Sequence, residues 1–240
     1  MDIRWITAFL DFEPAAHERA TAFWSAVTGY AVSEPRGEHA EFATLIPPNG
    51  DAYLRVQRQE EGPSRIHLDL HVDDVRRHAD RAISLGATEL VACDYVTLRS
   101  PGGLEFCFVT HPGESAPPMT QWDGGLASAA SQLCIDVPAS RWDAERDFWG
   151  GVLGVPIEYA GGSYAQTPPS ADRPMHLVLQ RLDDDPPTVG AHLDFETNAR
   201  DDEAARHQEL GATVLDTGPE WTVLRDPAGL PYCICGPDCR

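Results

Sequence analysis

The stretch RIHLDLHVDD, Arg65 to Asp74, places two histidines and three aspartates in ten consecutive residues. Apolar and polar positions alternate along it, the two-residue period of a β-strand. Interior strands rarely carry that much titratable chemistry. A second stretch, GAHLDFET from Gly190 to Thr197, repeats its core: His67, Leu68 and Asp69 return as His192, Leu193 and Asp194, 125 residues later. The fold is decided by whether that recurrence extends along the chain.

It does. Asp11 pairs with Asp136, and Phe23, Trp24, Val27 and Gly29 pair with Phe148, Trp149, Val152 and Gly154, at the same offset of 125. LGAT at Leu85–Thr88 returns at Leu210–Thr213. Leu98, Arg99, Pro101, Gly103, Leu104 and Cys107 return as Leu224, Arg225, Pro227, Gly229, Leu230 and Cys233 at an offset of 126. Gln57 and Arg58 match Gln180 and Arg181 at 123. Ordered matches with so little drift mark a duplicated domain. Residues 1–111 are read as the first domain, 112–126 as a linker and 127–240 as the second. The linker segment is rich in Pro, Gly and Ser and has no apolar period.

Within a copy, strands and helices alternate. Trp5 lies in a strand, and Pro14 is read as opening a helix with Ala16, Ala20, Phe23, Trp24 and Val27 on one face and Gly29 as its left-handed stop. After the RIHLDLHV strand, Asp73 and Asp74 read as a cap for a helix whose inner face is Val75, Ala79, Ala82 and Ile83. In the second copy Ser140, with Asp143 three residues on, reads as a capping box. Each copy thus holds two βαβββ units, and the chain holds four. The fold class is α+β, a tandem pseudo-two-fold internal duplication.

Composition excludes several function classes. The net charge is −20, from 18 basic and 38 acidic residues. Such a field repels nucleic acid and anionic lipid, so neither is an expected partner. No apolar run approaches the roughly 20 residues of a membrane span, and the N-terminal stretch lacks the basic region of a signal peptide. A cytoplasmic location, as a monomer or homodimer, is the expectation. The six cysteines are then expected as thiols, including Cys233, Cys235 and Cys239 near the C-terminus. No glycine-rich phosphate loop or GxSxG elbow is present.

A strand, a helix whose last turns read FW-x-x-V-x-G, the HLDL strand, LGAT and the turn before Cys107 or Cys233 together resemble the vicinal oxygen chelate superfamily, in its glyoxalase-like, bleomycin-resistance-like branch. The resemblance covers nearly the whole chain outside the linker, twice. It implies a cup-shaped sheet in each copy. It also implies, in metal-dependent members, one ligand on the first strand and one on the last strand of each βαβββ unit. Carried over, those positions are His67 and Cys107 in one copy and His192 and Cys233 in the other, with Thr7, Gln57, Gln132 and Gln180 near the remaining ones. The usual last-strand glutamate is replaced by Cys107 and Cys233, a departure from His and carboxylate sets. No cofactor is therefore expected. The alternative is a divalent metal ion held by His67, Cys107, His192 and Cys233.

The period of two puts His67, Asp69, His71 and Asp73 on one strand face. His67 and Asp69 are the candidate catalytic acid–base pair, with mutually satisfied structural groups as the competing reading. His71, without a counterpart, reads as a solvated strand end. Trp24 and Trp149 read as core. Trp5, Thr7, Phe9, Tyr53, Arg55 and Gln57, with Gln132, Gln180, His192 and Asp194, are the candidate ligand-binding residues. The expectation is binding of a small apolar or aromatic metabolite, in resistance, sequestration or secondary metabolism, without a typical metal site. The rival is a lyase, isomerase or dioxygenase acting on a small oxygenated substrate.

Overall fold

The structure is a computed structural model that describes residues 3–110, 115–168, 170 and 173–236, so Cys239 lies outside the described residues. The first repeat runs β1 (Trp5–Phe12), α1 (His17–Thr28), β2 (Ala31–Val32), β3 (Phe42–Ile46) and β4 (Leu54–Arg58). It continues with β5 (Arg65–Val72), α2 (Val75–Ser84), β6 (Thr88–Ala92), β7 (Val96–Arg99) and β8 (Glu105–Thr110). A short strand β9 (Thr120–Gln121) follows. The second repeat is β10 (Ala127–Val137), α3 (Trp142–Leu153), β11 (Glu158–Gly161), β12 (Tyr164–Gln166) and β13 (His176–Arg181). It ends with β14 (Gly190–Thr197), α4 (Arg200–Glu209), β15 (Thr213–Thr217), β16 (Trp221–Arg225) and β17 (Pro231–Cys235). These are the four βαβββ units that the repeat requires.

The strands form two sheets of equivalent order. One runs β2-β3-β4-β1-β5-β8-β7-β6 and the other β11-β12-β13-β10-β14-β17-β16-β15, with β9 added beside β10. In both, the last strand of the second unit returns parallel to that unit's first strand, β8 to β5 and β17 to β14. A helical crossover makes that parallel return possible.

The chain packs as two compact units. One comprises Met1–Ala8, His67–Ser115 and Leu133–Ala191; the other comprises Phe9–Ile66, Ala116–Gln132 and His192–Arg240. In the first, Phe106 on β8 packs its ring 5.1 Å from Trp149 and 6.0 Å from Phe148, both on α3. The Trp149 indole Nε1 donates to Glu145 Oε2 at 3.0 Å. Glu145 is fully buried, and its other oxygen accepts the Gly102 N–H. Arg141 donates to the Gly102 carbonyl at 2.9 Å, and so does the Val189 N–H at 3.0 Å. A buried acid thus holds the SPGG turn, and burial raises its pKa against the opposing hydrogen bonds from Gly102, Ser100 and Trp149.

The second unit solves the same problem with the acid moved. Trp24 on α1 packs 5.4 Å from Tyr232 and 6.0 Å from Phe195. Its indole donates to Asp226 Oδ2 at 2.8 Å. Asp226 stands where the first copy has Ser100, and its Oδ1 accepts the N–H groups of Ala228 and Leu230 at 2.8 and 2.9 Å. An aspartate satisfies its own turn and the indole together, whereas the serine oxygen accepts the Leu104 N–H at 3.2 Å and leaves the indole to Glu145. The core reading of Trp24 and Trp149 holds: both are 0% exposed.

Local expectations met mixed outcomes. Gly29 closes α1 at φ 72°, and Asp74 caps α2 by accepting the Arg77 N–H at 3.0 Å. Asp73 instead pairs with Arg4 at 2.6 Å. Pro14 sits in a turn, and α1 begins at His17. Ile83 is exposed, while His78 joins Ala79 and Ala82 on the buried face of α2. Ser140 does not cap α3; its hydroxyl is taken by Asp185 at 2.6 Å in a preceding 3-10 turn.

Part of the presumed linker is structured. Trp122 donates its indole N–H to Ser128 at 2.9 Å, and the Arg206 guanidinium lies 3.7 Å above its ring. Gly29 faces that ring: a Cβ there would stand 3.0 Å from Trp122 Cη2 and 3.1 Å from Thr120 Cγ2. Left-handed backbone already disfavours a side chain by about 1–2 kcal/mol. Gly29→Ala is therefore expected to lower unfolding free energy in urea by about 2 kcal/mol. A loss below a few tenths of a kcal/mol would show that Trp122 does not press on this turn.

Candidate functional site

Parallel pairing of β5 with β8 sets Asp69 beside Cys107, and pairing of β14 with β17 sets Asp194 beside Cys233. His67 and His192 lie two residues before those aspartates, on the same strand faces. Each repeat thereby gathers a histidine, an aspartate and a cysteine. In both trios one ligand atom from each residue lies within 4.8 Å of the others. The His67 Nε2 to Asp69 Oδ1 separation is 3.9 Å, and the His192 to Asp194 one is 3.2 Å. Asp69, Cys107, His192 and Asp194 are buried, while His67 and Cys233 are partly exposed.

The alternating face of these strands has an apolar reverse. Leu68, Leu70 and Val72 are buried on β5, and Phe106 and Phe108 flank Cys107 on β8. Phe108 packs 5.6 Å from His78 of α2, so the helix side holds the strands while the trio occupies the other face.

Around the first trio the structure adds groups that the sequence reading had not assembled. Thr97 on β7, in register with Cys107, places its hydroxyl 3.3 Å from the sulfur. His71 is 2% exposed, not a solvated strand end, and its Nε2 is 2.9 Å from the buried Thr7 hydroxyl. The Arg4 N–H donates to the His71 carbonyl at 3.0 Å, alongside β1, the neighbour of β5 in the sheet. Trp5, on the same face of β1 as Thr7, is 0% exposed, and its indole N–H has no hydrogen-bond partner among the described residues. A buried donor left in that state is uncommon. The second copy has Val223 at the Thr97 position and Glu196 at the His71 position. The first trio is thus the more elaborated of the two.

The other candidate binding residues are placed as follows. In the second unit, Arg55 lies 5.5 Å from the Phe9 ring centroid, and Phe9 meets Phe42 edge-on at 6.1 Å. Gln57 sits opposite Phe42 in the β3–β4 register. Tyr53 is 1% exposed, with its hydroxyl 3.3 Å from that of Tyr30. Burial raises both phenols and keeps them protonated. Gln132 is half-buried, and Gln180 in the first unit lies 3.9 Å from Cys134 Sγ. A surface groove of about 560 Å³, lined by residues including Arg81, Arg146 and Ile157, includes no trio residue.

The donor chemistry fits one class of metal better than another. An imidazole, a carboxylate and a thiolate suit a borderline or soft divalent ion, while hard ions such as magnesium and manganese take oxygen-rich sets. Three protein donors also leave a coordination position open. No disulfide joins any of the described cysteines. No helix among the described residues is long and apolar enough to cross a membrane.

The profile of the glyoxalase-like domain family matches residues 7–109 and again 132–235. No curated protein matches the sequence. Among solved structures, a mutant of 4-hydroxymandelate synthase from Streptomyces coelicolor is 15% identical, with a TM-score of 0.68, over 98% of this chain and 93% of that one. The Mn(II)-bound glyoxalase from Novosphingobium aromaticivorans is 18% identical, with a TM-score of 0.64, over 98% and 81%. 2,2',3-Trihydroxybiphenyl 1,2-dioxygenase from Sphingomonas wittichii strain RW1 is 16% identical, with a TM-score of 0.65, over 98% and 91%. At such identities the likeness is one of fold.

Proposed function

The chain belongs to the glyoxalase-like domain family, of the vicinal oxygen chelate superfamily, and from that premise we propose that it binds a small apolar or aromatic metabolite. The ligand lies against the sheet face that carries His67, Asp69 and Cys107, with His192, Asp194 and Cys233 as the equivalent set in the second repeat. The observation that carries this reading is the presence of the largely buried His67–Asp69–Cys107 set and the Trp5 indole N–H, without a hydrogen-bond partner among the described residues, in one compact unit. A ligand oxygen takes that donor, and its apolar body displaces water from an otherwise buried face. The role is resistance, sequestration or secondary metabolism.

A second reading is favoured by the trios themselves. Their donors suit a divalent metal, which would polarise an oxygenated substrate in a lyase, isomerase or dioxygenase reaction. In that case His67 and Asp69 orient the substrate or move its proton.

Chelator-treated protein and a panel of small phenols, catechols and hydroxylated aromatic acids separate the readings. The panel follows the aromatic compounds in the names of two similar structures. A ligand at a hundredfold excess over its Kd adds about 2.7 kcal/mol, a rise in melting temperature of about 5–10 °C for a chain of this size. That rise is expected to survive chelation. Stabilisation seen only with metal restored would transfer the assignment to the metalloenzyme, and none under either condition would remove both.

A further inference from the structure

We infer that the groove at the end of α3 is a two-fold contact with a second copy of this chain, in which Tyr159 of each copy lies over Arg81 of the other. The inference is independent of the ligand reading and starts from the internal repeat. Arg81 on α2 and Arg206 on α4 occupy equivalent positions, as do Gly154 and Gly29, at the offset of 125. Each arginine turns back onto the last turn of the helix packed beside it. Arg206 donates to the Ala26 carbonyl at 3.3 Å and to the Val27 carbonyl at 2.7 Å. Arg81 donates to the carbonyl of Gly151, the counterpart of Ala26, at 3.0 Å.

The two places differ in what covers the guanidinium. Trp122 lies 3.7 Å from Arg206, and the Thr120 hydroxyl donates to the Thr28 carbonyl at 2.8 Å. An extended aromatic segment thus fills that place and leaves the Arg206 side chain 18% exposed. Arg81 is exposed, and among the described residues no ring lies over it and no carboxylate pairs with it. Instead there is the groove of about 560 Å³, which Arg81 and Gly154 line together with Arg146 and Ile157. The repeat shows what such a place accepts: a flat ring on an extended segment, held by a cation–π contact.

Strand β11 carries such a ring, two residues beyond Ile157. Tyr159 is 76% exposed, on the edge strand of its sheet. An exposed aromatic on a sheet edge is a surface that association covers. Because Tyr159 and the groove adjoin, a two-fold axis between them lets each copy give a ring and receive one, the condition for an isologous contact. The charges agree. Arg146 already has Asp143 and Asp147 at 3.3 and 3.1 Å, which leaves Arg81 as the groove's unpaired cation. Glu158 is exposed and has no cation partner among the described residues. The axis brings Glu158 of each copy toward Arg81 of the other, a local attraction on a chain whose net charge is −20.

Sedimentation equilibrium of the full-length chain across micromolar concentrations reads the contact. A reversible dimer is expected. Tyr159→Ala raises its dissociation constant about tenfold or more, the effect of truncating an aromatic anchor, and Tyr159→Phe leaves it in place. Glu158→Arg and Arg81→Glu each weaken the dimer, and the two changes together restore it. Near-ultraviolet circular dichroism shows whether each variant is folded, and the exposed Tyr159 carries the test if Arg81→Glu is not. Location has its own readout: benzoylphenylalanine in place of Tyr159 is photolysed in a mixture with isotopically labelled chain. Cross-links are expected on labelled peptides from α2 or the end of α3. A chain that stays monomeric overturns the inference. So does a dimer indifferent to Tyr159→Ala, or one whose cross-links fall on other elements.

Discussion

Alanine at Trp149 is expected to lower the unfolding free energy by about 3–5 kcal/mol, the range for deleting a buried large aromatic side chain. Trp149 is 0% exposed and lies 5.1 Å from Phe106 and 5.3 Å from Phe148. The loss has two parts. One is the cavity among rings that α3 cannot refill. The other is Glu145, a buried carboxyl that gives up the indole N–H at 3.0 Å while still holding the Gly102 turn. Trp149→Phe separates them: it keeps most of the packing, strands the carboxyl and should cost about 1–3 kcal/mol. Urea unfolding of the two variants measures both. Equal costs would mean that the hydrogen bond dominates, and an alanine cost under about 1 kcal/mol would contradict the packing described here.

The second large effect belongs to Glu203. It is 0% exposed on α4, where Arg206 Nη2 reaches its Oε1 at 2.8 Å and His207 Nε2 reaches the same oxygen at 3.0 Å. His207 Nδ1 in turn lies 3.0 Å from the Tyr232 hydroxyl. Burial alone would raise the Glu203 pKa, but the hydrogen bonds from Arg206 and His207 outweigh it and hold the group at about 2. Burial lowers the pKa of His207 against the pull of Glu203, so the imidazole is neutral. Removing one partner of a buried pair leaves the other uncompensated, and Glu203→Ala should cost about 3–5 kcal/mol.

The pH dependence has one sign for both groups. Each folded pKa lies below its unfolded value, so the unfolded chain binds protons first as pH falls. Stability is full above pH 6.5, declines as His207 begins to titrate in the unfolded chain, and declines further between 4.5 and about 2 as Glu203 does. Glu203→Gln keeps the shape and should flatten the lower part of that profile. An unchanged acid limb would show that Glu203 is not the group responsible.

How much of this was legible in the sequence differs by level. The four βαβββ units followed from the offset between His67 and His192 and from element patterns that both copies repeat. The His-x-Asp pair and the cysteine at the end of each copy were visible for the same reason. The resemblance had already set His67 with Cys107 and His192 with Cys233; what it did not give is the register that sets Asp69 directly beside Cys107, a tertiary fact. His71 misled because alternation places it on a polar face, while its ring is buried against the Thr7 hydroxyl of the neighbouring strand β1, distant in sequence. The Glu203 cluster escaped because RDDEAARHQE reads as a solvated charged helix. Only the spacing of Glu203, Arg206 and His207, three and four residues apart, marks a shared face. Ser140 had the pattern of a helix cap, and a loop aspartate distant in sequence claimed its hydroxyl.

The central claim is that the His–Asp–Cys face of the first repeat is where the ligand binds. The most direct test repeats the thermal-shift panel on folded His67→Ala, His192→Ala and Trp5→Phe variants, each referenced to its own ligand-free melting temperature. The expected result is a stabilisation of about 5–10 °C in wild type that is lost in His67→Ala, reduced in Trp5→Phe and at least half retained in His192→Ala. The same stabilisation in wild type and in all three variants would contradict it.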